Sequence, residues 1–328
     1  MKIALISDSL TQEALSVETS FRNITPYNYK FIFHFYKPDF LFVESAWQGY
    51  KNRWKYKIAS YPDVPKRNNN KLKKVLQYAK KLNIPTVFWN KEDGVHFDRF
   101  IESAKLFDYI FTVDENCVQK YKQVVPKTTK VTTLLFAVQS KFHYFDGFHF
   151  KSNGANFVGS YSTHIHPKRK KWQDMMFQAT EKLDIPLTIF DRNSDRKASH
   201  YRYPNLKNII VKGAVPYKET AKIYKDYLIS FNVNTIEDSP TMFSRRLIEI
   251  IACGGVAITN PTPAVENYFK EYCYVIHNEE ELLELLKSFE NGLTQEAKEK
   301  LKQGAAYIQE YHTWTHRLQE IKEFIGLK

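Results

Sequence analysis

The stretch from Asn232 to Gly255 carries the residues best suited to chemistry. Two arginines, Arg245 and Arg246, precede a carboxylate, Glu249, by about one helical turn. Ser239 is a good N-cap, Pro240 fits a first helical position, and Gly254 supplies a left-handed stop. The expected helix therefore runs from about Pro240 to Cys253, with Met242, Arg246, Glu249 and Cys253 on one face. Backbone N–H groups and the dipole at a helix amino terminus favour an anion. Guanidinium groups there suit a diphosphate, each charge-assisted hydrogen bond contributing about 1.5–3 kcal/mol. A carboxylate one turn further on suits paired ribose hydroxyls, from which it accepts two hydrogen bonds. Together these groups describe a clamp for a nucleoside diphosphate that uses no metal. The same spacing also makes a plain i,i+3 surface ion pair, worth about 0.2–0.5 kcal/mol, and spacing alone leaves both readings open.

Further candidates follow strand-like runs. Gly159, Ser160 and Tyr161 end one such run, and a glycine there lets backbone approach a phosphate or simply turns tightly. Asp191 and Arg192 end the next run and are candidates to border a base, as is Tyr217. Asn234 ends the run before Ser239. In the amino-terminal half, Glu44 and Trp47 follow one run, and Trp89, Glu92, Asp93 and His96 another. Glu44, Asp93 or His96 is a candidate general base for an acceptor hydroxyl, with Trp47, Trp89 and Glu92 lining the acceptor side. Helix capping explains Glu92 and Asp93 equally well, and a purely structural role explains His96. No Gly-x-Gly-x-x-Gly follows a strand, and no phosphate-binding Walker loop occurs, which disfavours dinucleotide oxidoreductases and P-loop kinases. His-Glu-x-x-His, paired Cys-x-x-Cys and Asp-x-Asp are also missing from the sequence.

These residues need elements to hold them, and strand and helix signals alternate along the whole chain. Short apolar runs at 3–7, 40–43, 86–89, 109–113 and 131–135 read as strands in the first half. Leu72, Val75, Leu76, Ala79 and Leu82 give a helix over 70–82, with further helices near 97–106 and 115–124. Residues 140–154 lack periodicity and carry two glycines, and are expected to link two domains. A second series follows, with strands at 155–158, 187–190, 208–211, 228–233, 256–259 and 274–276. Helices at 168–183, 217–227 and 279–289 lie between or after them, and 294–328 reads as mostly amphipathic helix. Such alternation predicts an α/β protein with two parallel sheets covered by helices on both faces.

The 328 residues suit two domains of about 150 residues each. An apolar share of 43% and an aromatic share of 15% argue against disorder. No apolar run approaches the roughly 20 residues of a membrane span, and MKIALISDSL reads as a buried first strand rather than a signal peptide. Cys117, Cys253 and Cys273 form no disulfide framework and no metal spacing, which predicts a cytoplasmic protein. The net charge of +12 points to an anionic partner or to compositional bias, and the basic runs at 66–67, 71–81 and 168–171 also resemble solvated helix faces.

The string SPTMFSRRLIEIIACGG followed by VAIT resembles the donor-site helix of the CgeB-like (spore maturation protein) glycosyltransferases, and more distantly that of the large retaining GT-B families. LFVESAWQG, TVFWNKEDGVHFDRF, FDYIFTVDENCVQKY, FVGSYSTHIHPKR, IFDRN, KGAVPYKETAKIYKDY and YHTWTHRLQEI resemble the same family in order, so the likeness spans nearly the whole chain. The resemblance implies a GT-B fold of two Rossmann-like domains whose sheets face across a central cleft. The expected domains are an acceptor-side domain over 1–145, a donor domain over 155–310, and a terminal helix over 311–328 crossing back to the first. It implies a donor site of Gly159, Ser160, Tyr161, Asp191, Arg192, Tyr217, Asn234, Ser239, Met242, Arg245, Arg246 and Glu249. The donor is expected to be a UDP-hexose, with no cofactor and no metal. The expected acceptor is a hydroxyl of a cell-surface glycan, a teichoic-acid-type polymer or a lipid-linked precursor, with possible peripheral contact to the inner membrane face. Modified DNA as acceptor, and a decayed nucleotide- or polysaccharide-binding protein, are the alternatives. Where the retaining families carry a second acidic residue, eight positions before Glu249, this chain has Thr241, and it has Gly94 where the family often has Pro.

Overall fold

In the computed structural model, which describes residues 1–327, the alternating series resolves into two units. The first comprises Met1–Phe136, the short segment Ser239–Met242 and the carboxyl-terminal stretch from Trp314. Its strands are β1 (Lys2–Ile6), β2 (Ser20–Asn23), β3 (Phe40–Glu44), β4 (Thr86–Asn90), β5 (Tyr109–Thr112) and β6 (Lys130–Thr133). They form one parallel sheet in the order β2-β1-β3-β4-β5-β6. Every residue of β3 and β4 is buried, as a central strand covered on both faces requires. β2 was not expected: Ser-Phe-Arg-Asn has no apolar run and lies at the sheet edge, exposed or half-buried throughout. The helix Asn70–Lys81 packs through Leu72, Val75, Leu76 and Ala79, as its spacing predicts. The last helix, Trp314–Phe324, sets Trp314 edge-on to Trp89 and Phe324 against Tyr109 and Phe111.

The second unit comprises Ala137–Asp238 and Phe243–Thr313. Its strands are β7 (Ser152–Gly159), β8 (Leu187–Asp191), β9 (Ile209–Lys212), β10 (Tyr227–Asn232), β11 (Val256–Thr259) and β12 (Tyr274–Val275), again all parallel. The order is β12-β11-β10-β7-β8-β9. The chain thus runs outward from β7 to β9, then returns to the other side of β7 as β10. That reversal makes the carboxyl ends of β7 and β10 the switch point where open α/β sheets bind ligands.

Residues 140–154 are not a free connection. Phe148 and Phe150 pack on the second core, Phe145 lies against Gly254, and β7 already begins at Ser152. Irregularly spaced aromatic anchors, which no period reveals, hold this stretch down. The carboxyl-terminal stretch is two helices, Gln295–Tyr311 and Trp314–Phe324, parted where Thr313 bridges to Val138.

Candidate functional site

The helix carrying Arg245 and Arg246 is shorter than its caps suggest, running Arg245–Ala252. Residues 239–242 are not helical, because their side chains bond elsewhere. Ser239 Oγ donates to the Asp114 carboxylate (2.6 Å) and accepts from the Met242 N–H (2.9 Å). Thr241 Oγ1 donates to the Val113 carbonyl (3.0 Å) and accepts from the Glu115 N–H (2.8 Å). These four bonds fix the segment within the first unit, outweighing the local preference of Ser-Pro to start a helix. The true start is served by Asn234, whose Oδ1 accepts from the Ser244 N–H at 2.8 Å. The end is as expected: Gly254 sits at φ 71°, and the Gly255 N–H reaches the Ile250 carbonyl at 3.1 Å.

The two arginines divide their work differently from the expected pairing. Glu249 pairs with Arg245, Nε to Oε1 at 2.6 Å, not with Arg246; the side chains are 25% and 3% exposed. Arg246 turns toward the strand ends instead. Its Nε donates to the Val158 carbonyl at the end of β7, its Nη1 lies 3.5 Å from Asn232 Oδ1 at the end of β10, and its guanidinium covers the Phe157 ring at 4.6 Å. Gly159 makes this possible: a Cβ there would lie 2.7 Å from Arg246 Nη2 and 2.8 Å from Phe157. The glycine is needed for space and not for its backbone angles.

Arg169 joins this site. Its Nη2 donates to the Ser160 carbonyl at 3.3 Å from the first turn of the helix Pro167–Lys182. Burial lowers its pKa to about 10, and the nearby charges of Arg246 and Arg192 push the same way. Arg246 is lowered too, by burial first and by Arg192 among its neighbours. Arg169 and Arg246 therefore meet at the carboxyl ends of β7 and β10, and Arg192, which follows β8, is near enough for its charge to act on both. Like charges so placed repel and cost stability unless an anion lies among them. Sequence reasoning missed Arg169 by assigning 168–171 to a solvated face. Pro167, a first-turn signal just after Gly159-Ser160-Tyr161, was the available clue.

Near Arg245 and Glu249 lies a second set of polar groups. The Arg245 guanidinium covers the Tyr217 ring at 5.4 Å, and the His143 ring centroid is 5.0 Å from that of Tyr217. His143 Nε2 bonds Thr220 Oγ1 at 2.8 Å. His143 Nδ1 and the Tyr217 hydroxyl are both buried, and the His143 nitrogen has no hydrogen-bond partner. Burial holds His143 down to about 4, hence neutral, and raises Tyr217. Unsatisfied buried polar atoms ask for an explanation, and a polar ligand beside Glu249 supplies one. His143 lay in the stretch read as a linker.

Other expected donor residues have structural duties. The Tyr161 hydroxyl donates to Asp174 at 2.6 Å, and its ring is buried against Tyr203, so only the backbone of 159–161 borders the arginines. Asp191 is buried at the end of β8, accepts from the Asn193 N–H at 2.8 Å and has its pKa raised by burial. Asn234 caps the helix, and Ser239 and Met242 belong to the pinned turn of the first unit.

In the first unit, Glu44 is fully buried. Its oxygens accept from the Asp8 N–H (2.6 Å), Thr11 Oγ1 (2.5 Å) and Lys91 Nζ (2.9 Å). This carboxylate ties loops together and has no face left for a substrate. Trp89 is core, 2% exposed, its indole N–H donating to the Leu134 carbonyl at 3.1 Å. Asp93 is buried as well: Asn90 Nδ2 and the Tyr121 hydroxyl both donate to Oδ1, at 2.6 and 3.1 Å, while Oδ2 has no partner. Burial raises its pKa to about 7. His96 and Trp47 are half-buried and meet edge-on with ring centroids 5.2 Å apart, beside half-buried Glu92. Burial lowers His96, with Glu92 acting the other way, so the ring is neutral at pH 7.

Known structures share this fold. An α-glucosyltransferase in complex with UDP-glucose and DNA containing an abasic site aligns with TM-score 0.66 and 12% identity over 99% of each chain. HepE of Anabaena, in complex with UDP and glucose, aligns with TM-score 0.60 and 9% identity over 99% of this chain and 91% of the other. A glycosyltransferase from Rickettsia africae aligns with TM-score 0.58 and 13% identity over 100% and 99%. The two parallel six-stranded sheets are therefore a GT-B fold. The family described as glycosyl transferase-like matches residues 169–323, the stretch that carries Arg169, Arg192, Arg246 and Glu249. That family match spans just under half of the chain and makes residues 169–323 glycosyl transferase-like. No protein of curated function matches the sequence. Among the described residues, no cluster of three metal-ligating side chains occurs, and no helix is long and apolar enough to cross a membrane.

Proposed function

We propose that the chain transfers a hexosyl group from a UDP-sugar to a hydroxyl of an anionic glycan, a teichoic-acid-type polymer or a lipid-linked precursor, within the CgeB-like branch of these enzymes. One observation carries the reading: Arg169 and Arg246 meet at the switch point of the second sheet, with Arg192 near enough for its charge to act on both. A diphosphate is the ligand whose charge and size suit guanidiniums so placed. In this reading Arg169 and Arg246 hold the diphosphate and offset the charge that grows on it as the glycosidic bond to the donor breaks. The guanidiniums supply charge that a divalent cation supplies in metal-dependent transferases. Glu249, oriented by Arg245, accepts from the ribose hydroxyls, with Tyr217 and His143 beside it. His96 is the base for the acceptor hydroxyl, since Glu44 and Asp93 are sealed from solvent and His96 is neutral and half-exposed. Trp47 and Glu92 offer the acceptor an apolar face and a carboxylate.

DNA is the second acceptor reading. It is favoured by the net charge of +12 and by two structural neighbours: the α-glucosyltransferase above, in complex with DNA, and a DNA-modifying β-glucosyltransferase, with TM-score 0.59 and 11% identity over 100% of both chains.

Purified protein incubated with a panel of nucleotide sugars should release nucleoside diphosphate fastest from one UDP-hexose, and that donor should raise its melting temperature. A panel without release or thermal shift would sink the donor assignment. Radiolabelled sugar appearing on hydroxymethylated DNA and on no glycan would move the acceptor to DNA.

A further inference from the structure

We propose that the helix Tyr29–Phe35 and the turn before it form a docking surface for an anionic lipid bilayer. Tyr27, Phe31 and Phe35 are 74%, 66% and 67% exposed, the three most exposed of the large hydrophobic side chains. Phe31 and Phe35, at i and i+4, share one outward strip of the helix, and Tyr27 stands in the turn before it. Phe31 and Phe35 lie against each other with centroids 4.6 Å apart. The opposite side of the helix is spent on folding: Ile32 and Phe33 are buried, and Tyr29 and Phe33 meet Tyr78 of the helix Asn70–Lys81. Neither fold nor core thus requires aromatic residues on the outer strip, where water disfavours them.

The charge around the strip identifies the partner. Lys71, whose ammonium lies 5.8 Å from the Tyr27 ring, flanks it, and Lys30 of the helix sets its ammonium 5.8 Å from the Tyr78 ring. Between Ser20 and Lys37, and again between Val64 and Lys91, there is no acidic residue at all. A surface of exposed aromatic rings rimmed by lysine matches the boundary of an anionic bilayer. Aromatic rings settle at headgroup depth, and cations near the surface are drawn to the anionic lipid. A nucleic acid fits the charge less well, because Phe31 and Phe35 cover one another where bases would need open faces to stack. The surface lies wholly in the first unit and the arginine site in the second, so it does not depend on the donor assignment. If both hold, the acceptor is membrane-borne.

The full chain should co-sediment with vesicles of phosphatidylcholine mixed with phosphatidylglycerol, and at least tenfold less with phosphatidylcholine alone. Phe31→Ser with Phe35→Ser, and separately Lys30→Glu with Lys71→Glu, should each cut that partition at least tenfold. Because these side chains are exposed, the melting temperature and UDP-sugar hydrolysis should stay at parental values. Equal sedimentation of parent and variants overturns the proposal. So does loss of single-stranded oligonucleotide binding, or of self-association, in the Phe31/Phe35 variant without loss of vesicle binding. Failure of UDP-sugar hydrolysis with vesicle binding intact would strike the donor reading and leave this one standing.

Discussion

Arg246 illustrates how much a single side chain decides. Its guanidinium lies among two carbonyl-bearing strand ends and two further arginines, with no carboxylate bonded to it in the described contacts. Arg246→Ala and Arg169→Ala should therefore each raise the donor KM and lower kcat/KM by about 10- to 100-fold, the equivalent of one charge-assisted bond. Melting temperature without ligand should hold or rise as repulsion is relieved. Asp93 makes the opposite kind of prediction. Its folded pKa near 7 lies above the roughly 4 of an exposed carboxyl. The folded protein keeps that proton while the unfolded chain has lost it, so stability falls as pH rises from about 4 to 7. Asp93→Asn retains the shape and removes the titration. Its melting temperature should match the parent near pH 4.5 and exceed it at pH 8, by the equivalent of a few kcal/mol at about 1.4 per pKa unit. A constant difference across pH would contradict the assignment. The sequence named both residues, but not their surroundings. The Arg246–Glu249 pairing failed because i,i+4 geometry gave the carboxylate to Arg245, leaving Arg246 to Val158 and Asn232.

At the scale of elements, the helix Arg245–Ala252 is placed by three devices: the cap from Asn234, the glycine turn at Gly254, and the space left by Gly159. Gly159→Ala should abolish UDP binding in calorimetry, because its methyl group would occupy the place of Arg246 Nη2 and press on Phe157. Thr241→Ala removes two hydrogen bonds, one of them buried, and should destabilise the protein by about 1–3 kcal/mol in denaturant melts. Strands β3, β4, β8, β10 and β11 were plain from their apolar runs, and the helix Asn70–Lys81 from its spacing. The caps at Ser239 and Pro240 misled, since Ser239 and Thr241 satisfy partners in the first unit that lie more than a hundred residues away in sequence. β2 and the aromatic anchors of 142–150 escaped notice for a related reason: neither has a period, and both are held by contacts made only after folding.

Over the whole molecule, two parallel sheets with a switch point each provide the frame, and the second gathers Arg169, Arg246 and the other residues of the proposed donor site. The excess of positive charge bears on the acceptor rather than the donor. With an anionic polymer as acceptor, its KM should rise steeply between about 50 and 200 mM salt, while the donor KM, set by buried groups, should move little. A flat acceptor KM would point to composition alone as the origin of the charge. The fold class and the glycine turn after the helix Arg245–Ala252 were legible because each leaves a local mark. Arg169 and His143 were not, since their roles come from residues that topology alone brings near. The most direct test of the arginine-lined donor site is calorimetric titration of UDP, without added metal, into the parent and into the Arg169→Ala/Arg246→Ala double variant. Saturable one-to-one binding to the parent and at least a hundredfold weakening in the variant are expected. Undiminished binding in the variant, or none in the parent, would contradict the account.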